Sequence, residues 1–562
     1  MTTRRQFLTE SGAFLALVGL GSAPALHLPG RKRYDLIIRN GRVFDGTGKA
    51  GFDADVAIAN GRIAAIGAKL GDDAREVIDA RGLAVAPGFI DIHSHADGTM
   101  FEDPRVESVI RQGVTTVIVG QDGSSRAPIR NADLHASNAN PDDDTPRLGR
   151  GKSLADVFRA IDALPSSVNV ASMVGLGTVR HVVVGDDDRP ATPDELRRMV
   201  ALVEAALADG ACGASSGLEY TPGEFASLDE LIALCRPLAR RGLPYATHMR
   251  NEDDRVLKSI DEAIAVARGA HCPLEISHLK MEGRRNWDKL DQAFARIDAA
   301  RDAGVHVTFD CYPYVAYQTG LSNLFPDWSE DGGTSAFIAR LGDASLASKL
   351  RAAVHDKIDL LGGWDSVLIS SVSAGADRAA EGQRLGSYAK SLGRDPYDVT
   401  VALLVHSRGD VGMVGFGMSD ADVARILAHP LAAVCSDGAA VAIDGPARVG
   451  HPHPRSLGTF PRVLGRYARD QHVLSLAHAI HKMTGATASR VKLTDRGHLA
   501  RGLAADVVVF DPATVLDRAT YTEPFQYPVG IQAVIVNGAI ALREDQRAEQ
   551  RTGRALRVQG GR

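Results

Sequence analysis

Four histidines and an aspartate, His93, His95, His248, His278 and Asp437, stand at the ends of segments that each read as a short buried strand. Imidazole nitrogens and a carboxylate are the donors of a hydrolytic divalent metal site, and a barrel of parallel strands can hold such an ion at its mouth. The first segment is Pro87-Gly88-Phe89-Ile90-Asp91-Ile92-His93-Ser94-His95, an apolar run opened by a Pro-Gly turn and closed by two histidines two residues apart. Residues i and i+2 of a strand share a face, so both imidazoles can reach one ion. Two ordinary histidines on a strand would give the same pattern, so the reading rests on its repetition further along the chain.

From about residue 192 the chain repeats a capped amphipathic helix, a glycine stop and a short apolar strand, the alternation of parallel βα architecture. Thr192-Pro193-Asp194-Glu195 is a capping box with proline at the first helical position, and Leu196, Met199, Val200, Val203 and Leu207 form one apolar face. Gly210, Gly242, Gly269 and Gly304 are the expected stops of four helices. The strands that follow them run from Ala211 to Ser215, from Pro244 to His248, from Leu274 to His278 and from His306 to Asp310. Ser419 caps a later helix, and the strand Leu431 to Ser436 delivers Asp437. With candidates at 89–95, 115–119 and 168–174 the total is eight, which predicts an α/β fold of the TIM type, a (β/α)8 barrel. A doubly wound open sheet is the rival, but it would not easily bring several strand ends around a single site.

The 562 residues exceed one barrel. Residues 34–86 and 496–545 both read as short strands with glycine turns, so the two termini are expected to build one small β-sandwich beside a barrel at 87–495. The stretch 315–394 is too long for an ordinary connection and reads as an inserted lid. Residues 1–30 read as a twin-arginine export signal, with Thr3-Arg4-Arg5-Gln6-Phe7-Leu8, an apolar run and Ala23-Pro24-Ala25 as the cleavage region. That run is short for a membrane span, so a periplasmic or extracellular protein without a stable anchor is expected. Five cysteines, few and odd in number, argue against a disulfide framework. A net charge of −5 offers no basic stripe for nucleic acid.

The first-strand motif resembles that of the amidohydrolase superfamily. Several further stretches resemble the N-acyl-D-amino-acid deacylase (D-aminoacylase) family: Gly113-Val114-Thr115-Thr116-Val117, Gly217-Leu218-Glu219-Tyr220-Thr221-Pro222-Gly223, Thr247-His248-Met249-Arg250, Ser277-His278-Leu279-Lys280, Tyr312-Pro313-Tyr314, Ser436-Asp437-Gly438 and His453-Pro454-Arg455. The resemblance runs from about residue 34 to 541.

It implies that His93, His95 and Asp437 serve one metal position and His248 with His278 a second. One or two zinc ions would lower the pKa of a bound water from about 15.7 toward 7. Asp437 would accept the water's proton and return it to the leaving amine. The family's Gly-Asn-Cys-Gly, whose cysteine binds or bridges metal, is here Gly120-Gln121-Asp122-Gly123. Aspartate also bridges divalent ions but is a harder donor, which shifts preference toward manganese or similar ions. The alternative is that Asp122 caps Ser124 or Ser125. No lysine stands at the strand-four end to act as a carboxylated bridge, and Leu176 replaces a histidine of similar enzymes.

Lys280 and Arg455 resemble residues that hold a substrate carboxylate, with Tyr312 or Tyr314 adding a hydroxyl and Tyr220 either joining them or packing beneath the loop. His451 and His453 adjoin prolines and read as structural. The implied function is hydrolysis of the amide of an N-acyl-D-amino acid or related D-residue dipeptide, a small carboxylate-bearing substrate. The alternatives are a cyclic-amide or xenobiotic-amide hydrolase and, outside enzymes, an exported metal- or ligand-binding protein.

Overall fold

The computed structural model describes residues 33–130 and 149–558, so the N-terminal export motif lies outside the described residues. Eight parallel staves form the centre: β1 (Phe89–Asp91), β2 (Val114–Val119), β3 (Asn169–Ser172), β4 (Ala214–Gly217), β5 (Tyr245–His248), β6 (Leu274–Ile276), β7 (Val307–Cys311) and β8 (Ala432–Val434). The third stave breaks at Met173. Its first part pairs with β2, while Val174–Gly175 pairs with β4. Pairing continues in register from β4 to β8. The ring closes where Ser94 bridges Gly438 in parallel, so the chain following β1 lies against the chain following β8.

The helices between staves follow their expected caps in most cases. Thr192 closes a capping box on the helix Pro193–Asp209, which ends on Gly210 at φ 111°. The helix Val256–Ala270 differs: it runs past Gly269 and stops on His271 in the left-handed region, at φ 57°. Gly269 is small for another reason, since a Cβ there would sit 2.7 Å from Ile232 of the neighbouring helix.

Nine strands from both ends of the chain form one continuous sheet, in which Val507–Phe510 pairs antiparallel with Ala84–Pro87. The sheet folds over on itself. The backbone of Ile63 bonds Leu503 and that of Gly61 bonds Ala505, enclosing an apolar core that includes Ile38, Val56, Val507 and Ile535. Between β7 and β8 an inserted module carries its own antiparallel sheet of Tyr317–Gly320, Val367–Val372 and Val411–Gly415. The last of these is the central strand, so the module extends beyond residue 394, where loop length alone placed its end. Tyr317, Asn323 and Glu330 of this module line the cavity at the C-terminal ends of the staves.

Candidate metal centre

The seam between β1 and β8 builds the first half of the site. The amide of Asp437 donates to the carbonyl of His93 at 2.9 Å and that of His95 to the carbonyl of Gly438 at 3.0 Å. These bonds bring Asp437 to the two histidines: its Oδ1 lies 3.5 Å from His93 Nε2 and 3.1 Å from His95 Nε2. Asp122 arrives from the loop after β2, between Gly120 and Gly123, both at positive φ. A Cβ on Gly120 would meet the carbonyl of Met173 at 2.3 Å, and one on Gly123 the amide of Gly217 at 2.7 Å, so the turn presenting Asp122 requires both glycines.

Asp122 stands between two sets of imidazoles. Oδ1 is 3.4 Å from His93 Nε2 and 3.5 Å from His278 Nε2, while Oδ2 is 3.3 Å from His95 Nε2 and 4.0 Å from His248 Nδ1. His248 Nδ1 and His278 Nε2 are 3.0 Å apart. The capping alternative fails, because the amide of Ser124 donates to the carbonyl of Gln121 and that of Ser125 to the hydroxyl of Thr178. Asp122, His278 and Asp437 hold φ values of 51°, 35° and 49°. Such left-handed backbone costs about 1–3 kcal/mol per residue and tends to gather at functional sites.

The donor set fits divalent metal. His93 Nε2 and Asp122 Oδ1 are buried, face one another and have no hydrogen-bond partner, a loss that a shared cation would remove. Ligand atoms of His93, His95, Asp122 and Asp437 form one cluster and those of Asp122, His248 and His278 another, each spanning 4.8 Å or less. Burial pushes the Asp122 carboxyl up, but the facing His93 and His278 outweigh it and hold it well below the usual carboxylate range. Asp437 is likewise held low, its burial overcome by Arg455, His278 and His95.

The cavity above these residues has a volume of about 1030 Å³. Lys280, Arg455 and Tyr220 line it, whereas Tyr312 and Tyr314 do not. The hydroxyl of Tyr312 donates to Met418 Sδ at 3.6 Å and that of Tyr314 to Asp517 at 3.3 Å, which corrects the expectation that either reaches substrate. Tyr312 acts through its ring instead, with the Arg455 guanidinium 4.9 Å and Lys280 Nζ 5.9 Å from its centroid. Both cations already have carboxylate partners: Arg455 Nη1 bonds Asp437 Oδ2 at 2.7 Å and Lys280 bonds Glu252. Arg455 Nε is buried and without a hydrogen-bond partner. The Tyr220 ring packs 4.7 Å from that of His248, and its hydroxyl pairs with Thr319.

His453 is structural, accepting the Arg455 amide at Nδ1 and bonding the Ala316 carbonyl through Nε2. Leu176 is buried in the main core and takes no part in lining the cavity. Sequence reading missed Glu219, Glu252 and Asp310. Glu219 lies 3.0 Å from His248 Nε2, Glu252 3.2 Å from His278 Nδ1, and Asp310 accepts the His278 amide at 2.7 Å. The strand-end rule that found the histidines also covers Glu219 and Asp310, just after β4 and within β7.

The sequence model of the amidohydrolase family matches residues 76–284 and 412–542, on either side of most of the inserted module. D-aminoacylase of Alcaligenes xylosoxydans xylosoxydans is 37% identical over 93% of this chain and 97% of its own. N-acyl-D-aspartate deacylase of the same organism is 38% identical over 93% and 95%. The crystal structure of N-acyl-D-glutamate deacylase from Bordetella bronchiseptica, complexed with zinc and a phosphonate mimic of the tetrahedral intermediate, superposes with a TM-score of 0.79. It is 35% identical and covers 93% of this chain and 100% of that one.

Proposed function

The chain belongs to the amidohydrolase family, and from that premise we propose that it is a metal-dependent hydrolase of the amide bond of N-acyl-D-amino acids or related D-residue dipeptides. The observation that carries this reading is the meeting, in one cavity, of the two imidazole sets around Asp122 with the cations Lys280 and Arg455.

His93, His95 and Asp437 would hold one ion and His248 with His278 another, Asp122 lying between them. A bound divalent cation supplies a Lewis acid that activates water and polarises the scissile carbonyl. Zinc is the ion we propose, supported by the zinc-complexed relative, and the hard carboxylate of Asp122 widens the choice to manganese. Asp437, buried and kept ionised by Arg455, takes a proton from the attacking water and returns it to the leaving amine. Lys280 and Arg455, stacked above one tyrosine ring, orient the substrate's carboxylate.

Purified protein assayed against paired N-acetyl-D- and N-acetyl-L-amino acids is expected to hydrolyse the D series. A chelator should abolish the activity, and added zinc or manganese should restore it. Equal rates on both enantiomers, or activity indifferent to chelation, would overturn the reading. Relatives named for D-aminoacylase, N-acyl-D-aspartate deacylase and N-acyl-D-glutamate deacylase activities match this chain almost equally, at 37%, 38% and 36% identity, so the panel includes acidic and neutral side chains.

We further propose export through the twin-arginine route, supported by Arg4-Arg5 before an apolar run. Among the described residues no helix is long and apolar enough to cross a membrane. Replacing both arginines by lysine should retain the protein in the cytoplasm, as read by cell fractionation; undiminished export would refute the route.

A further inference from the structure

We propose that Glu219 is a positioning residue for the second ligand set, holding His248 in the tautomer that leaves its other ring nitrogen free for metal. His248 Nδ1 and His278 Nε2 face each other and Asp122. On its far side His248 Nε2 meets Glu219 Oε2 at 3.0 Å, whereas His278 Nδ1 meets Lys280 Nζ at 2.8 Å and Glu252 Oε1 has no hydrogen-bond partner. An ionised carboxylate only accepts hydrogen bonds, so the His248 proton belongs on Nε2 and its Nδ1 carries the lone pair. A carboxylate behind a ligating histidine fixes the ring and strengthens its donor nitrogen.

Glu252 accepts instead from Lys280. Glu219 is met at 3.5 Å by the amide of Asn323, so the inserted module reaches the metal ligands through it. The Tyr220 ring closes over His248. The first ligand set is built differently, since His93 Nδ1 is buried with no partner. Ligand atoms of Glu219, His248 and Glu252 also lie within 4.8 Å of one another, so a separate cation bound by these three is the competing arrangement.

The inference rests on the metal-dependent reading and not on which amide is cleaved. Metal-free protein is titrated with zinc against a chromophoric chelator, comparing the parent with Glu219→Gln and Glu219→Leu. The leucine variant should bind one zinc about 10- to 100-fold more weakly, the usual cost of losing such a partner. The glutamine variant should lose less, because its carbonyl still accepts the imidazole proton, and the number of ions bound should not change. Parental affinity in a folded leucine variant overturns the inference. If that variant does not fold, parental affinity in the glutamine variant does so. Loss of one whole ion makes Glu219 a ligand of a separate cation and likewise overturns it. A parent that binds no zinc removes the metal-dependent reading itself.

Discussion

Asp437→Asn is expected to lower kcat by about 10²- to 10⁴-fold, the range of one general acid–base group, while the barrel stays folded. Asparagine is the informative replacement for a backbone reason. Asp437 sits at φ 49°, a conformation that asparagine tolerates about as well as aspartate and alanine does not. The amide oxygen can still accept from Arg455 Nη1, and the β1–β8 seam uses the backbone of Asp437 and the side chains of Asp91 and Ser436 rather than the Asp437 carboxylate. What disappears is the charge and the site that receives the proton. Circular dichroism checks the fold and metal analysis checks the ligand set; a folded, metal-loaded variant with a near-normal rate would remove Asp437 from proton transfer.

Arg455→Ala is the second large effect, and the structure makes its reading less simple than the sequence does. The residue faces two tasks. Its Nη1 holds Asp437 at 2.7 Å, and its side chain lines the cavity in which a substrate carboxylate would bind. Some loss is therefore expected on every substrate, because Asp437 is left buried without its counter-charge. The excess loss on carboxylate substrates isolates binding. A hydrogen bond to a charged group contributes roughly 1.5–3 kcal/mol, so kcat/KM should fall about 10- to 150-fold further for an N-acyl-D-amino acid than for its carboxamide analogue. Arg455→Lys should recover part of the common loss but not the excess, since an ammonium lacks the planar fork. Equal losses on acid and amide substrates would contradict the carboxylate role.

Both predictions depend on residues the sequence brought forward by type and position. His-x-His after an apolar run, the histidines closing β5 and following β6, and Asp437 after β8 could be found because strand ends of a barrel converge, whatever the details of packing. The eight staves lie close to where hydrophobic period and glycine stops put them. Asp122 was visible as a carboxylate at a strand-two end, but its alternative as a serine cap was closed only by seeing where the serine amides point. Tyr312 and Tyr314 show the opposite case. Their motif is conspicuous, yet a hydroxyl's direction is set by packing among Met418, Asp517 and His453 from distant segments.

The sequence by itself determined the barrel, the ligand types and the chemistry they can perform, because strand periodicity and donor identity are local properties. Only the tertiary structure decided the pairings: Arg455 with Asp437, Lys280 with Glu252, and Glu219 with His248. It also showed that the inserted module reaches the site through Asn323. Those contacts join residues on different staves and in the insertion. Distances of a few ångströms between such segments follow from ring closure and side-chain packing, which no local pattern encodes.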